Sequence, residues 1–93
     1  MDNTNVTMKS RIYNWIHYLC THHNSKEFKE VPVMFTREYV ASKFGISIRQ
    51  VVRHLKSLED EKLIYRYKIY NNIYIYSLKP IDMSRDIFVR VRH

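Results

Sequence analysis

The sequence predicts a single α+β domain, three helices with a two- to three-stranded antiparallel sheet, and three stretches predict it. From Val6 to about His22, apolar residues recur every three or four positions, as on one face of a helix. From Thr36 to Asp60, two shorter helical patterns flank a Phe44-Gly45-Ile46 corner. From Leu63 to Lys79, aromatic and β-branched residues alternate with polar ones around Asn71-Asn72, the pattern of a hairpin.

Size and composition agree with this class. Ninety-three residues, 45% of them hydrophobic and 27% charged, make one small globular domain over 1–93. No run approaches the ~20 apolar residues that cross a bilayer, and no apolar block ends in a small-residue cleavage site. No membrane association and no signal peptide are therefore expected. The single cysteine, Cys20, excludes an internal disulfide and a multi-cysteine zinc site, and fits a reducing cytoplasm. A net charge of +7 favours polyanionic partners. The abundance of Ile, Tyr, Lys and Asn against one glycine points to coding from an AT-rich genome: a low-GC bacterium, a phage or another mobile element.

The elements follow in order. The first helix, placed within 6–23, buries Met8, Ile12, Trp15, Ile16 and Leu19, with Thr4 or Asn5 as cap. Tyr13, Tyr18 and Cys20 lie off that face, surface that invites a homodimer or a protein partner. A charged connector fills 23–30. Val31 to Phe35 is extended, because Pro32 keeps Val31 out of the helical region, and a strand containing proline belongs at an edge.

Thr36 caps the next helix, which turns Tyr39, Val40 and Phe44 inward. Ser47 and Gln50 have the spacing of a capping box. The helix they open buries Val51, Val52, Leu55 and Leu58, and leaves Arg49, Gln50, Arg53, His54, Lys56 and Ser57 outside. The three acids Glu59, Asp60 and Glu61 solvate its end. For the hairpin, a two-residue turn at 71–72 pairs Tyr70 with Ile73 and, by continuation, Arg66 with Ser77. One face then carries Tyr65, Tyr67, Ile69, Tyr74, Tyr76 and Leu78 toward a core. The other carries Arg66, Lys68, Tyr70, Ile73, Ile75 and Ser77 toward solvent or phosphate; a one-residue slip would exchange the two. The tail, 80–93, alternates Ile87, Val89 and Val91 with Phe88, Arg90 and Arg92. It is open to three readings: a strand, a partner-binding segment, or an arm that orders on DNA.

Phe35 to Lys79, about half the chain, contains TREYVASKFGISIRQVVRHLKSLEDEKLIYRY, then NN, then IYSL. This stretch resembles the winged helix-turn-helix DNA-binding family in its cap, helix, small-residue corner, Ser-capped second helix, Leu-x-x-Leu register and wing. The resemblance implies that 36–60 is the helix-turn-helix, that 47–60 is the recognition helix, and that 63–79 is the wing. It further implies that Ser47, Arg49, Gln50 and Arg53 lie nearest the bases, with Arg66 and Lys68 on backbone or minor groove. The chain departs from the pattern at Lys62, where that family often has glycine.

On this reading Arg49 and Arg53 meet guanine edges or phosphates and Gln50 meets adenine. Arg37, Lys43 and Lys56 complete the cationic set, the two lysines positioning without specifying. Of the wing tyrosines at 65, 67, 70, 74 and 76, four belong to the packed side; Tyr70, sharing a face with Arg66 and Lys68, is free to stack on unpaired bases. The competing interpretation of each charge is a merely solvated helix face. The sequence of corner, basic helix and basic ribbon argues against it.

His17, Cys20 and His23 are spaced by three along one helix and cannot converge as zinc ligands without strain. Neither a metal nor a cofactor is expected. One glycine excludes a Gly-rich phosphate loop, and the lone cysteine lacks a base with its orienting group. The chain is expected to be no enzyme. The expected function is DNA binding, duplex favoured and single-stranded DNA the alternative, in a transcription regulator or replication-associated factor. The second hypothesis is an accessory subunit that docks on a larger replication protein (a polymerase, primase or helicase) and helps it engage DNA.

Overall fold

Helix α1 (Met8–Thr21) starts where Thr7, in extended conformation, accepts the Ser10 amide on its hydroxyl at 3.1 Å. The computed structural model describes residues 7–23, 26, 27, 29–70, 73–82 and 89–91. The predicted start at Val6 and the predicted caps Thr4 and Asn5 lie outside those residues; Thr7 is the cap. Ile12, Ile16, Leu19 and Cys20 are buried along α1. Cys20 thus belongs to the core rather than to a free surface, because position 20 follows Ile16 by four and completes the same stripe. Its thiol meets the Tyr76 carbonyl at 4.0 Å.

The chain returns through the connector, tied by the Val31 amide to the Cys20 carbonyl at 2.9 Å, and forms β1 (Val33–Met34). Helix α2 (Arg37–Phe44) follows, with the Thr36 hydroxyl accepting from the Tyr39 amide at 3.0 Å. Gly45 ends α2 at φ +66°, the left-handed conformation that glycine adopts without cost. Helix α3 (Ile48–Asp60) opens with both halves of the predicted capping box. It buries Val51, Leu55 and Leu58 against α1 and α2.

Strands β2 (Tyr65–Tyr70) and β3 (Ile73–Ser77) form the hairpin, and β3 pairs antiparallel with β1. Three helices and a three-stranded antiparallel sheet give an α+β arrangement consistent with a winged helix. A two-residue strand from the tail, β4 (Arg90–Val91), adds parallel to β1, so the sheet order is β2-β3-β1-β4. β1 is therefore internal, not the predicted edge. Pro32 is accommodated by standing just before the ladder, where it has no amide to contribute.

The hairpin register departs from expectation one residue from the turn. Tyr70 pairs with Ile73 as predicted, but the ladder slips between Lys68 and Tyr70, so that Lys68 meets Tyr74, Arg66 meets Tyr76 and Tyr65 meets Ser77. An extra residue in one strand inverts the alternation of everything beyond it. Tyr74 and Tyr76 consequently share the helix side with Arg66 and Lys68, while Tyr65 and Tyr67 share the far side with Ile75 and Ser77. The neat division into apolar and basic faces does not occur. Both sides of β3 are covered instead. Tyr76 stacks on Phe35 with centroids 4.4 Å apart, and burial pushes its phenol up to about 12. On the far side the returning chain closes over the strand: the Ser77 hydroxyl donates to the Lys79 carbonyl at 2.7 Å, and Tyr67 accepts the Ile81 amide at 3.1 Å.

One core joins α1, α2, α3 and the sheet. At its margin Trp15 packs on Phe35, Tyr39 and Phe44 with centroids 5.0, 5.9 and 5.9 Å away. Such aromatic contacts add about 0.5–1.5 kcal/mol each beyond area burial. Among the described residues, no helix is long and apolar enough to cross a membrane.

Candidate nucleic-acid interface

Residues along a helix advance by about 100° each, so Val51, Leu55 and Leu58 direct one side of α3 into the core. The opposite side then falls to Arg49, Arg53 and Lys56, on successive turns. All three are exposed, and none of them forms an ion pair with another described residue. Val52 does not join the buried stripe as predicted. It is 37% exposed, and Ile48 is 43% exposed. One step beyond Val51, Val52 lands on the flank of α3 that faces the wing, where the sheet leaves room beside it. The outward face of α3 therefore combines three cations with two aliphatic side chains.

Ser47 and Gln50 form the predicted capping box. The Ser47 hydroxyl accepts the Gln50 amide at 3.1 Å, and the Gln50 side-chain oxygen accepts the Ser47 amide at 3.0 Å. Reading adenine requires that same oxygen together with the amide nitrogen. In this conformation Gln50 holds the helix start, and base contact would require it to release the cap.

Arg37 and Lys56 line a groove of about 200 Å³ between α3 and the wing, with Val52, Glu59, Asp60 and Arg66. Arg66 turns toward α3, as the slipped register dictates. Its Nε lies 3.5 Å from Glu59 Oε1, and its guanidinium sits over the Tyr74 ring at 4.7 Å. Arg66 is thus a strut between wing and helix as well as a surface cation, its charge partly offset by Glu59. Lys68 is exposed on the same strand side. Tyr70 is 67% exposed at the hairpin end.

Lys43 leans on the aromatic cluster, its Nζ 5.7 Å from the Trp15 ring and 6.0 Å from Phe44. Arg11 of α1 approaches the same Phe44 ring at 5.9 Å. Nothing in the sequence placed Arg11 beside Lys43, since only the packing of α1 on α2 joins them. A second cationic patch, Arg11 and Lys43, results.

The acids at the end of α3 do more than solvate it. Glu59 pairs with Arg66, while Glu61 pairs with Lys9, which also donates to the Ser57 hydroxyl at 3.1 Å. The hydrogen bond from Lys9 holds the Glu61 carboxyl below its ordinary range. His54, half-buried on the same flank, is lowered by burial first and by Arg53 and Lys9 second.

Of the three residues considered as metal ligands, Cys20 is inside the core, His17 is exposed, and the His23 ring meets the Lys29 carbonyl at 3.3 Å. Among the described residues no three His, Cys, Asp or Glu side chains converge on one point. Of the aromatic surface expected on α1, Tyr13 packs against the core and Tyr18, 53% exposed, stacks on His22 at 4.2 Å.

Comparison with family models, with curated proteins and with solved structures gives no significant match to this chain.

Proposed function

We propose that this protein is a non-enzymatic DNA-binding protein that lays α3 in the major groove of duplex DNA, as a winged helix would. The observation that carries this reading is the outward face of α3: Arg49, Arg53 and Lys56 exposed on successive turns, opposite a buried Val51-Leu55-Leu58 stripe. A rigid helix presenting guanidinium groups has the width and the donors for that groove. Arg49 and Arg53 reach guanine edges or phosphates; Lys56, Arg37 and Lys43 fix position on the backbone. Ile48 and Val52, exposed beside them, supply apolar contact of the kind that recognises thymine methyl groups. Arg66 and Lys68 follow the backbone from the wing.

The biological setting we propose is transcription regulation or replication in a low-GC bacterium, phage or mobile element, in a reducing cytoplasm that keeps the buried Cys20 thiol reduced. The AT-rich coding and the net charge of +7 support it.

The test is duplex binding by fluorescence anisotropy with the Arg49→Ala/Arg53→Ala double variant. Contacts of this kind are each worth about 1–3 kcal/mol, so the double variant is expected to bind at least about thirtyfold more weakly. A Lys26→Ala/Lys29→Ala control in the connector is expected to bind as the parent does. Equal affinities for parent and α3 variant would refute the assignment.

A further inference from the structure

The end of the hairpin carries a cluster that the major-groove reading leaves unused. Ile69, Tyr70 and Ile73, on either side of residues 71–72, are 48%, 67% and 44% exposed. The slip in the ladder at Ile69 takes that residue out of the strand alternation, so it stands in solvent with its neighbours instead of packing inward. The Tyr70 ring has no aromatic, cationic or hydrogen-bonding partner among the described residues. Residues 63–79 contain Arg66, Lys68 and Lys79 and no acid; Arg66 pairs with Glu59 and Lys79 with Glu30, which leaves Lys68 as the cation of the ribbon nearest the cluster.

An exposed aromatic ring that neighbours one exposed isoleucine in the chain and pairs with another across the ladder, on a ribbon carrying Lys68, matches an anionic ligand that offers π-faces. Unpaired nucleobases have that chemistry, since each base offers a face for stacking while its phosphate meets the lysine. Duplex DNA hides those faces within its stack. Its undeformed minor groove, about 6 Å wide, admits a two-stranded ribbon only when the DNA is bent open.

We infer that the hairpin end is a stacking platform for unpaired bases, so that the preferred ligand is DNA in which a duplex adjoins single-stranded nucleotides. This rests on the proposed seating of α3 in the duplex and names the ligand class more narrowly. α3 holds the paired part. Tyr70, between Ile69 and Ile73, receives a base from the unpaired part, and Lys68 meets its phosphate.

The experiment compares a blunt duplex, the same duplex carrying a short unpaired tail, and the tail strand alone, with 2-aminopurine in the tail. Stacking on one aromatic ring corresponds to about 5- to 150-fold in affinity. The parent protein is expected to bind the tailed duplex tighter than the blunt one within that range, with a change in 2-aminopurine fluorescence. Tyr70→Ala is expected to bring the tailed duplex to the blunt value and leave blunt binding unchanged, while Tyr70→Phe keeps the preference. Equal binding of blunt and tailed duplexes by the parent overturns the inference and leaves the α3 reading intact. So does an equal loss on both ligands with Tyr70→Ala, which would point to a protein-facing or structural role for the hairpin end. Absence of any salt-dependent binding to the blunt duplex overturns the α3 reading itself, and this inference with it.

Discussion

Lys62 adopts φ +63°, the one residue other than glycine with a positive φ among those described. There the chain leaves α3, the Lys62 amide reaching the Glu59 carbonyl at 3.0 Å and the Leu63 amide reaching Leu58 at 3.0 Å. A left-handed residue at this point satisfies the last carbonyls of the helix and swings Ile64 into the core. A side chain with a Cβ is strained in that conformation, by about 1 kcal/mol or somewhat more. Lys62→Gly is therefore expected to raise stability by about 0.5–1 kcal/mol in denaturant unfolding, with Trp15 fluorescence as probe and no change in fold. A loss of stability on that substitution would contradict this account of the turn. Residues of this kind were legible in the sequence where local chemistry alone decides them. Thr36, Gly45, Ser47 and Gln50 each act within four residues of themselves, and each stands where its type predicted. The role of Gln50 was harder to read, because the same amide serves a helix cap or an adenine edge, and spacing cannot choose between them.

Among elements, the joint between α1 and α3 has a charge pattern with a pH consequence. Lys9, Ser57 and Glu61 bridge the two helices, and His54 lies half-buried nearby with its pKa below 6.5. Because folding disfavours the charged imidazole, the unfolded chain binds the proton more readily once pH falls below 6.5. Stability is then complete above that value and declines through the window between 6.5 and the lowered folded-state value. Glu61, whose carboxyl the Lys9 hydrogen bond holds below the ordinary glutamate range, adds a decline of the same sign at lower pH. The melting temperature is expected to fall between about pH 7.5 and about pH 5.5, and His54→Gln is expected to flatten that slope. An unchanged slope in the variant would assign it elsewhere. The same scale explains the misread hairpin. Alternation predicted two strands and the turn region, but one slipped residue at Ile69 inverts every pair beyond it. No residue between Tyr65 and Tyr70 is a glycine or proline that would have marked the irregularity. The short strand β4 was likewise left open, since two residues pairing across 57 positions leave no local signal.

For the molecule as a whole, charge is arranged rather than merely abundant. At the α3 end Glu61 pairs with Lys9 and Glu59 with Arg66, which ties helix to helix and helix to wing. Arg49, Arg53 and Lys56 are left facing outward, and Arg11 with Lys43 forms a second cationic patch over Phe44. Surface ion pairs of this sort contribute only ~0–1 kcal/mol each to stability, so their larger effect is on where positive potential remains. The α+β class and the basic helix were visible from periodicity and net charge. The pairing of Arg66 with Glu59 and the exposure of Val52 were not, since both depend on how the wing docks against α3. If the remaining cations neutralise about six phosphates, the affinity for duplex DNA should fall with salt at a log–log slope of about −5. The most direct test is therefore that slope, measured for the parent and for Arg49→Ala/Arg53→Ala. The account predicts about −5 for the parent and a slope shallower by about one for each cation removed. A parent slope near zero would contradict it.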